Sequence, residues 1–164
     1  ATYIHGKGHE FIISSVGIDE GNTLKEKLNI AVHCINFMKK LKKTPKIATL
    51  SYARPGDYGR SEEINQSLDD AKKLTQLIEK HTNQKIENSC VLIDQAIKNK
   101  CNILIAPNGI VGNTIFRTLV LLNSWPSFGA ITFGIDDIYI DTSRDQSREG
   151  YLRSLELAYK LAKL

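Results

Sequence analysis

The chain has 164 residues, with 22 Lys and Arg against 18 Asp and Glu for a net charge of +4. That is the size of one domain able to bury about 70% of the surface its unfolded form exposes, and the mild positive charge suits small anions while excluding the dense basic face of a nucleic-acid binder. Three cysteines without C-x-x-C spacing exclude a disulfide framework and a zinc site, and no apolar stretch approaches the about 20 residues of a membrane helix. The totals read as one soluble cytoplasmic domain over residues 1–164.

In chain order, "ATYIHGKGHE" (1–10) reads as a loop-like lead. Its start at Ala1 without an initiator Met reads as a processed or partial chain. "FIISSVG" (11–17) is a strand closed by Gly17, and a helix follows with Leu24, Leu28, Ala31, Ile35, Met38 and Leu41 on one face. Its terminal "KKLKK" complements the helix dipole. "KIATLSY" (46–52) is a strand, "ARPGDYGR" (53–60) a turn, and the next helix starts at an N-cap Ser61 with Ile64, Leu68, Ala71, Leu74 and Ile78 inward. "SCVLIDQAIKNK" (89–100) reads as a short helix with Val91, Leu92, Ala96 and Ile97 inward, and "CNILIAPN" (101–108) as a strand buried on both faces. "GIVGNTIFRTLVLLN" (109–123) is a glycine-bearing turn entering a helix; 126–134 and 137–141 are strands, and Ser147–Leu164 closes the chain as a helix with Tyr151, Leu155, Ala158 and Ala162 inward. Alternating strands and helices predict an α/β protein with a three-layer α/β/α, largely parallel sheet, the two late strands being candidates for an antiparallel edge.

Ligands of open α/β sheets bind outside the carboxyl ends of the strands, which singles out three loops. In "PNGIVGN", Gly109 and Gly112 let backbone approach a ligand, helix-terminal amides face it, and Asn108 and Asn113 add side-chain amides; the competing reading is a glycine turn with an Asn cap. In "ARPGDYGR", Arg54 and Arg60 can grip a phosphate or carboxylate, or Asp57 can hold them in a surface salt bridge. In "DTSRDQS", Asp141 precedes Ser143 and Arg144, which set a hydroxyl and a guanidinium at the mouth of the sheet; the competing reading makes Ser143 or Ser147 a helix cap. His5 and His9 have no third metal partner, so no metal is expected, and His33 reads as a packed histidine rather than a base.

Together these loops resemble the phosphotransacetylase superfamily (phosphate acetyl and butyryl transferases). Pro107, Gly112, Asn113, Phe116 and Arg117 of "IAPNGIVGNTIFR" fit its Pro-Asn and Gly-Asn pattern, and Asp141, Ser143 and Arg144 fit its Asp-x-Ser-Arg segment. "SVGIDEG" (15–21) and "ARPGDYGR" are closer to the methanogen MtxX branch, the methyltransferase-related proteins also called methanogenesis marker protein 4. The resemblance runs from about residue 11 to the end. It implies an isocitrate/isopropylmalate dehydrogenase-like fold, a catalytic role for Ser143 and Arg144, and coenzyme A or an acyl phosphate as candidate substrate.

The chain departs from that pattern in two places. Gly150 stands where phosphotransacetylases carry an aspartate taken as base toward the coenzyme A thiol, and a thiol near pKa 8.5 is only a few per cent thiolate at neutral pH without one. The additional N-terminal portion of those enzymes, with its arginines, has little counterpart here. Acetyl transfer is therefore doubtful, and no zinc, cobalamin or S-adenosylmethionine motif marks methyl transfer. Two readings result: an MtxX-type transferase for a phosphate-bearing or CoA-like ligand, and a non-catalytic anion-sensing partner of methyltransferase subunits. The expected assembly is a homodimer. An NAD-dependent dehydrogenase is excluded for want of a fingerprint glycine loop followed by a ribose-binding acid.

Overall fold

The computed structural model describes residues 1–142, 144 and 146–164. Its strands are β1 (Thr2–Gly6), β2 (His9–Ser14), β3 (Ile47–Leu50), β4 (Glu87–Cys90), β5 (Ile103–Ile105), β6 (Ser127–Ile131) and β7 (Ile140–Asp141). Its α-helices are α1 (Leu24–Lys40), α2 (Glu62–Thr82), α3 (Ile93–Lys98), α4 (Gly109–Arg117) and α5 (Arg148–Ala162), with a 3-10 turn at Pro55–Asp57 and a π turn at Thr118–Leu122. The strands form one sheet in the order β4-β3-β5-β2-β1-β6-β7.

The first ten residues are sheet rather than a loop-like lead. β1 and β2 form an antiparallel hairpin whose partners run from Thr2↔Ile13 to Gly6↔His9, leaving Lys7 and Gly8 as a two-residue turn with φ of 50° and 77°. Positive φ at both turn positions matches the right-handed strand twist. The hairpin also corrects the largely parallel expectation. β4, β3, β5 and β2 are mutually parallel, but β1 is antiparallel to both β2 and β6, and β6 to β7.

Successive strand residues serve opposite layers, as the period of two requires. Tyr3, Ile12, Ile47, Ile103 and Ile105 pack with α1, α2 and α5 in one core. Ile4, Phe11, Ala48 and Leu104 pack with α3, α4 and the π turn in the other. Central β5 is buried on both sides, as its unbroken apolar run predicts.

The expected caps are present: Ser61 Oγ accepts from Ile64 N and Ser147 Oγ from Gly150 N. Thr23 and Glu26 form a capping box on α1, one that sequence reading missed. In 89–100 the helix is confined to Ile93–Lys98, because Glu87–Cys90 pairs with β3 as edge strand β4, and Val91 is exposed. The late strand shrinks to Ile140–Asp141. α5 is rotated from its expected facing: Gly150, Ser154, Leu157 and Leu161 are buried, while Tyr151 and Leu155 are 47% and 66% exposed. The cause is close approach to β6, where a side chain on Gly129 would come 3.1 Å from Ser154 Oγ, so a small residue is needed at position 154.

Beside the hairpin, Glu10 accepts from Tyr3 Oη at 2.7 Å and pairs with Lys43. Partial burial alone would raise the Glu10 pKa, but the Lys43 and Tyr3 hydrogen bonds outweigh it and hold the carboxyl below the usual range. The folded pKa is therefore depressed, so this stabilisation is present above the unfolded value of about 4.3 and is lost as pH falls through the folded value. Urea melts across that acid window are expected to show Glu10→Gln losing its stability deficit relative to the parent as pH drops; a constant deficit would show the carboxylate's charge to be irrelevant.

Cys34 and Cys101 are fully buried, and burial pushes both thiols up to about 12, with the Glu87 carboxylate adding to the effect at Cys101. Nucleophilicity belongs to the thiolate. Native-state labelling with a disulfide reagent at neutral pH is expected to modify these two only at the unfolding rate; rapid labelling of either would contradict the packing.

Candidate functional site: a cleft along β6

A cleft of about 680 Å³ runs along β6, between the end of β2, the N-terminal half of α1, and α4. Its construction begins in the loop after β2. The α4 glycines do not form an open cradle; they let the helix press onto that loop. A Cβ on Gly109 would lie 1.5 Å from Gly17 O, and one on Gly112 would lie 1.6 Å from Ser15 O. Gly109 N donates to Glu20 O at 2.9 Å, and Asn113 Nδ2 donates to Val16 O at 3.0 Å. Asn108 is the helix cap, its Oδ1 accepting from Val111 N at 3.0 Å while its Nδ2 donates to Tyr52 Oη at 2.6 Å. The first-turn amides of Gly109 and Val111 are thus engaged inside the chain.

This clasp brings Asn113 and Arg117 to the cleft wall. Facing them are Asp141 and Gln146, which bracket the third sequence loop. β7 runs antiparallel to β6, with Asp141 opposite Ala130 and so level with Thr2 and Ile13 near the end of β2, and the chain leaves it running against the direction of the parallel strands. The loop reaches the cleft by lying alongside β6. Arg144 sits in an exposed turn, and Ser143 lies outside the described residues. Gly150 is buried in the first turn of α5, where an added Cβ would meet the Gln146 side chain at 2.1 Å.

Arg54 and Arg60 stand elsewhere. Arg60 Nε pairs with Asp57 Oδ1 at 3.1 Å, and Arg54 N donates to Asp57 Oδ2 at 3.0 Å. The Asp57 salt-bridge reading of that turn is the arrangement present, and neither arginine lines the cleft.

Several cleft residues were missed in the sequence. His33 is not packed: it is exposed, stacked on Phe133 with ring centroids 5.9 Å apart and planes 12° apart, and lines the cleft with Glu26, Asn29 and Ile30. Their i, i+3, i+4, i+7 spacing beside the buried stripe of α1 was the available signal. Asp19 and Glu20 of "SVGIDEG" also line it. Chemically the cleft is divided. Arg117 and the Asn113 amide offer donors to an anion, whereas Asp19, Glu20, Glu26 and Asp141 favour donor groups on the rest of a ligand.

Over this frame the comparisons with known proteins agree. The chain is 36% identical over 145 residues to a putative methyltransferase mtx subunit X from Methanosarcina mazei, covering 88% of this chain and 51% of that protein. It is 33% identical over 152 residues to an uncharacterized methyltransferase of Methanocaldococcus jannaschii, covering 89% and 62%. This chain is similar to MtxX-type sequences. It spans about half the length of the Methanosarcina relatives it matches. No family model matches.

Solved phosphotransacetylases share the fold of this chain. EutD phosphotransacetylase from Staphylococcus aureus superposes with a TM-score of 0.72 at 19% identity, covering 99% of this chain and 53% of that one. A branched-chain phosphotransacylase from Enterococcus faecalis gives 0.71 at 20%, covering 98% and 61%. Among the described residues, no helix is long and apolar enough to cross a membrane, and no group of three or more His, Cys, Asp and Glu side chains is placed to hold a metal ion.

Proposed function

We propose that this MtxX-type protein is a group-transfer enzyme, with a fold of the isocitrate/isopropylmalate dehydrogenase-like class, whose β6 cleft holds a phosphate-bearing or CoA-like ligand. The observation that carries the reading is convergence: Asn113 and Arg117 from one motif and Asp141 and Gln146 from another, far apart in sequence, line one cavity. Strand-flanking pockets with a few convergent polar groups are where α/β proteins bind ligands. Arg117 supplies the positive charge and Asn113 a directed amide, and the resemblance to phosphotransacetylases gives Ser143 and Arg144 the reacting end. The transfer is of an acyl or a methyl group, in a homodimer that works beside methyltransferase subunits.

A second reading, a non-catalytic anion sensor for such subunits, is favoured by Gly150 occupying the place of the expected base. Acetyl phosphate and coenzyme A, followed by thioester absorbance, separate the two. Turnover supports acyl transfer. Phosphate binding without turnover supports the sensor or a methyl substrate, and absence of phosphate binding by ³¹P NMR removes both. Gly150→Asp is expected to gain thioester formation if the missing carboxylate is what limits it, the new Cβ displacing the end of the flexible Gln146 side chain; an inert, folded variant argues that the missing carboxylate is not what limits acyl transfer.

A further inference from the structure

The amino edge of the parallel strands carries a concentration of charge that the chain total of +4 hides. We propose that this edge docks the protein on an anionic lipid bilayer, by adsorption of lysines rather than insertion of apolar groups. The inference is independent of what the β6 cleft binds.

β4, β3, β5 and β2 start side by side, because Ile103 is level with both Ile12 and Ile47, and Ala48 with Glu87. The segments that lead into them, 7–10, 37–46, 79–87 and 95–102, therefore meet at one edge, with the last turns of α1, α2 and α3 among them. They hold ten lysines, three glutamates and neither Arg nor Asp, so of the chain's 22 basic and 18 acidic residues only 12 and 15 are left for everything else. This edge is strongly positive and the remainder slightly negative. The glutamates are engaged within the chain: Glu10 pairs with Lys43, Glu79 accepts from Ile86 N, and Glu87 accepts from Ser89 Oγ and Asn99 Nδ2. Every one of the ten lysines but Lys43 is exposed.

Helix C-termini attract cations, but the three dipole ends that meet here amount to only about −1.5 charges, a fraction of what the lysines supply. Three of these lysines also stand where the backbone disfavours them. Lys7, Lys42 and Lys100 take φ of 50°, 58° and 63°, the left-handed region in which glycine or asparagine is the less strained choice.

Composition selects the partner. Protein interfaces are depleted in lysine and built around aromatic, Met and Arg anchors, and none of the exposed large apolar side chains falls in these four segments. Bidentate recognition of phosphates and bases in nucleic acid favours arginine. Hydrated ammonium groups spread over one end suit the surface potential of anionic headgroups, which attracts them without requiring a fixed geometry. The β6 cleft is lined by Ser14 and Val16 at the carboxyl end of β2, so a docked molecule holds it away from the bilayer and open to water.

Co-sedimentation with vesicles of equal parts phosphatidylglycerol and phosphatidylcholine tests this, with pure phosphatidylcholine vesicles as the neutral comparison. Binding to the anionic vesicles alone is expected at low salt, and its loss at about 0.5 M salt, where screening is short-ranged. The triple variant K7N/K42N/K100N is expected to bind about a hundredfold more weakly, on the order of fivefold per lysine. Asparagine tolerates the left-handed backbone at all three positions, so its melting temperature is expected to hold or rise, and the loss is not one of folding. K25Q/R54Q/R60Q removes the same charge from the opposite end of the strands, in the first turn of α1 and the turn after β3, and is expected to keep its affinity within about threefold. Equal losses in the two variants overturn the proposal, since net charge rather than this edge then governs binding. Failure of the parent protein to sediment with anionic vesicles at low salt overturns it as well. Binding to duplex DNA more tightly than to the vesicles in the same buffer, lost in the lysine variant, overturns the lipid assignment in favour of a nucleic-acid surface.

Discussion

Gly112→Ala is expected to destabilise the protein by about 3 kcal/mol, the upper end of ordinary overpacking costs, and to lower the melting temperature by roughly 10 °C for a chain of this size. The new methyl would fall 1.6 Å from Ser15 O. That contact is with backbone, so relief requires the helix or the loop to move rather than a side chain to rotate. Movement of α4 would loosen the hydrogen bond from Asn113 to Val16 O and the one from Gly109 N to Glu20 O, which shape this wall of the cleft. Weaker ligand binding is therefore expected alongside the lower melting temperature. Gly56→Ala is the control: nothing lies within 4 Å of a Cβ there, and an effect within about 0.5 kcal/mol is expected. Calorimetry showing Gly112→Ala as benign as Gly56→Ala would contradict the clasp between α4 and the loop after β2.

Arg117→Gln is expected to weaken phosphate binding by about tenfold to a hundredfold, the range of a hydrogen bond to a charged group. Arg117 is exposed at the end of α4, so stability is expected to change by less than about 0.5 kcal/mol. Arg60→Gln separates location from net charge. It removes the same charge from the turn after β3, where Arg60 is 72% exposed and paired with Asp57, and is expected to leave affinity within about twofold once salt has screened the distant field. Equal losses in the two variants would place the anion near the Arg54–Arg60 turn instead and overturn the cleft assignment.

The helices that carry long amphipathic stripes were legible because their burial is a local matter of spacing. In α2, Leu68, Ala71, Leu74 and Ile78 face the core as read, behind the Ser61 cap. Central β5 was equally plain, since an unbroken apolar run flanked by turn residues has few other uses. α5 was not, because its apolar residues circle the helix and the buried side was chosen by Ser154 fitting against Gly129 of β6, a contact invisible along the chain. β1 and β4 escaped for a related reason: their short, mixed sequences pair only because a neighbouring strand supplies the hydrogen bonds.

By itself the sequence determined that strands and helices alternate and which polar residues, Asn, Arg and Ser among them, its loops carry. Tertiary structure alone decided that the α4 glycines serve close packing, that the Asp57 turn keeps its arginines apart from the cleft, and that α1 contributes His33. The physical reason is distance along the chain. Spacing reports which way a side chain faces on its own element, whereas a cleft is made by which elements meet, and here an antiparallel hairpin and a rotated final helix set that meeting.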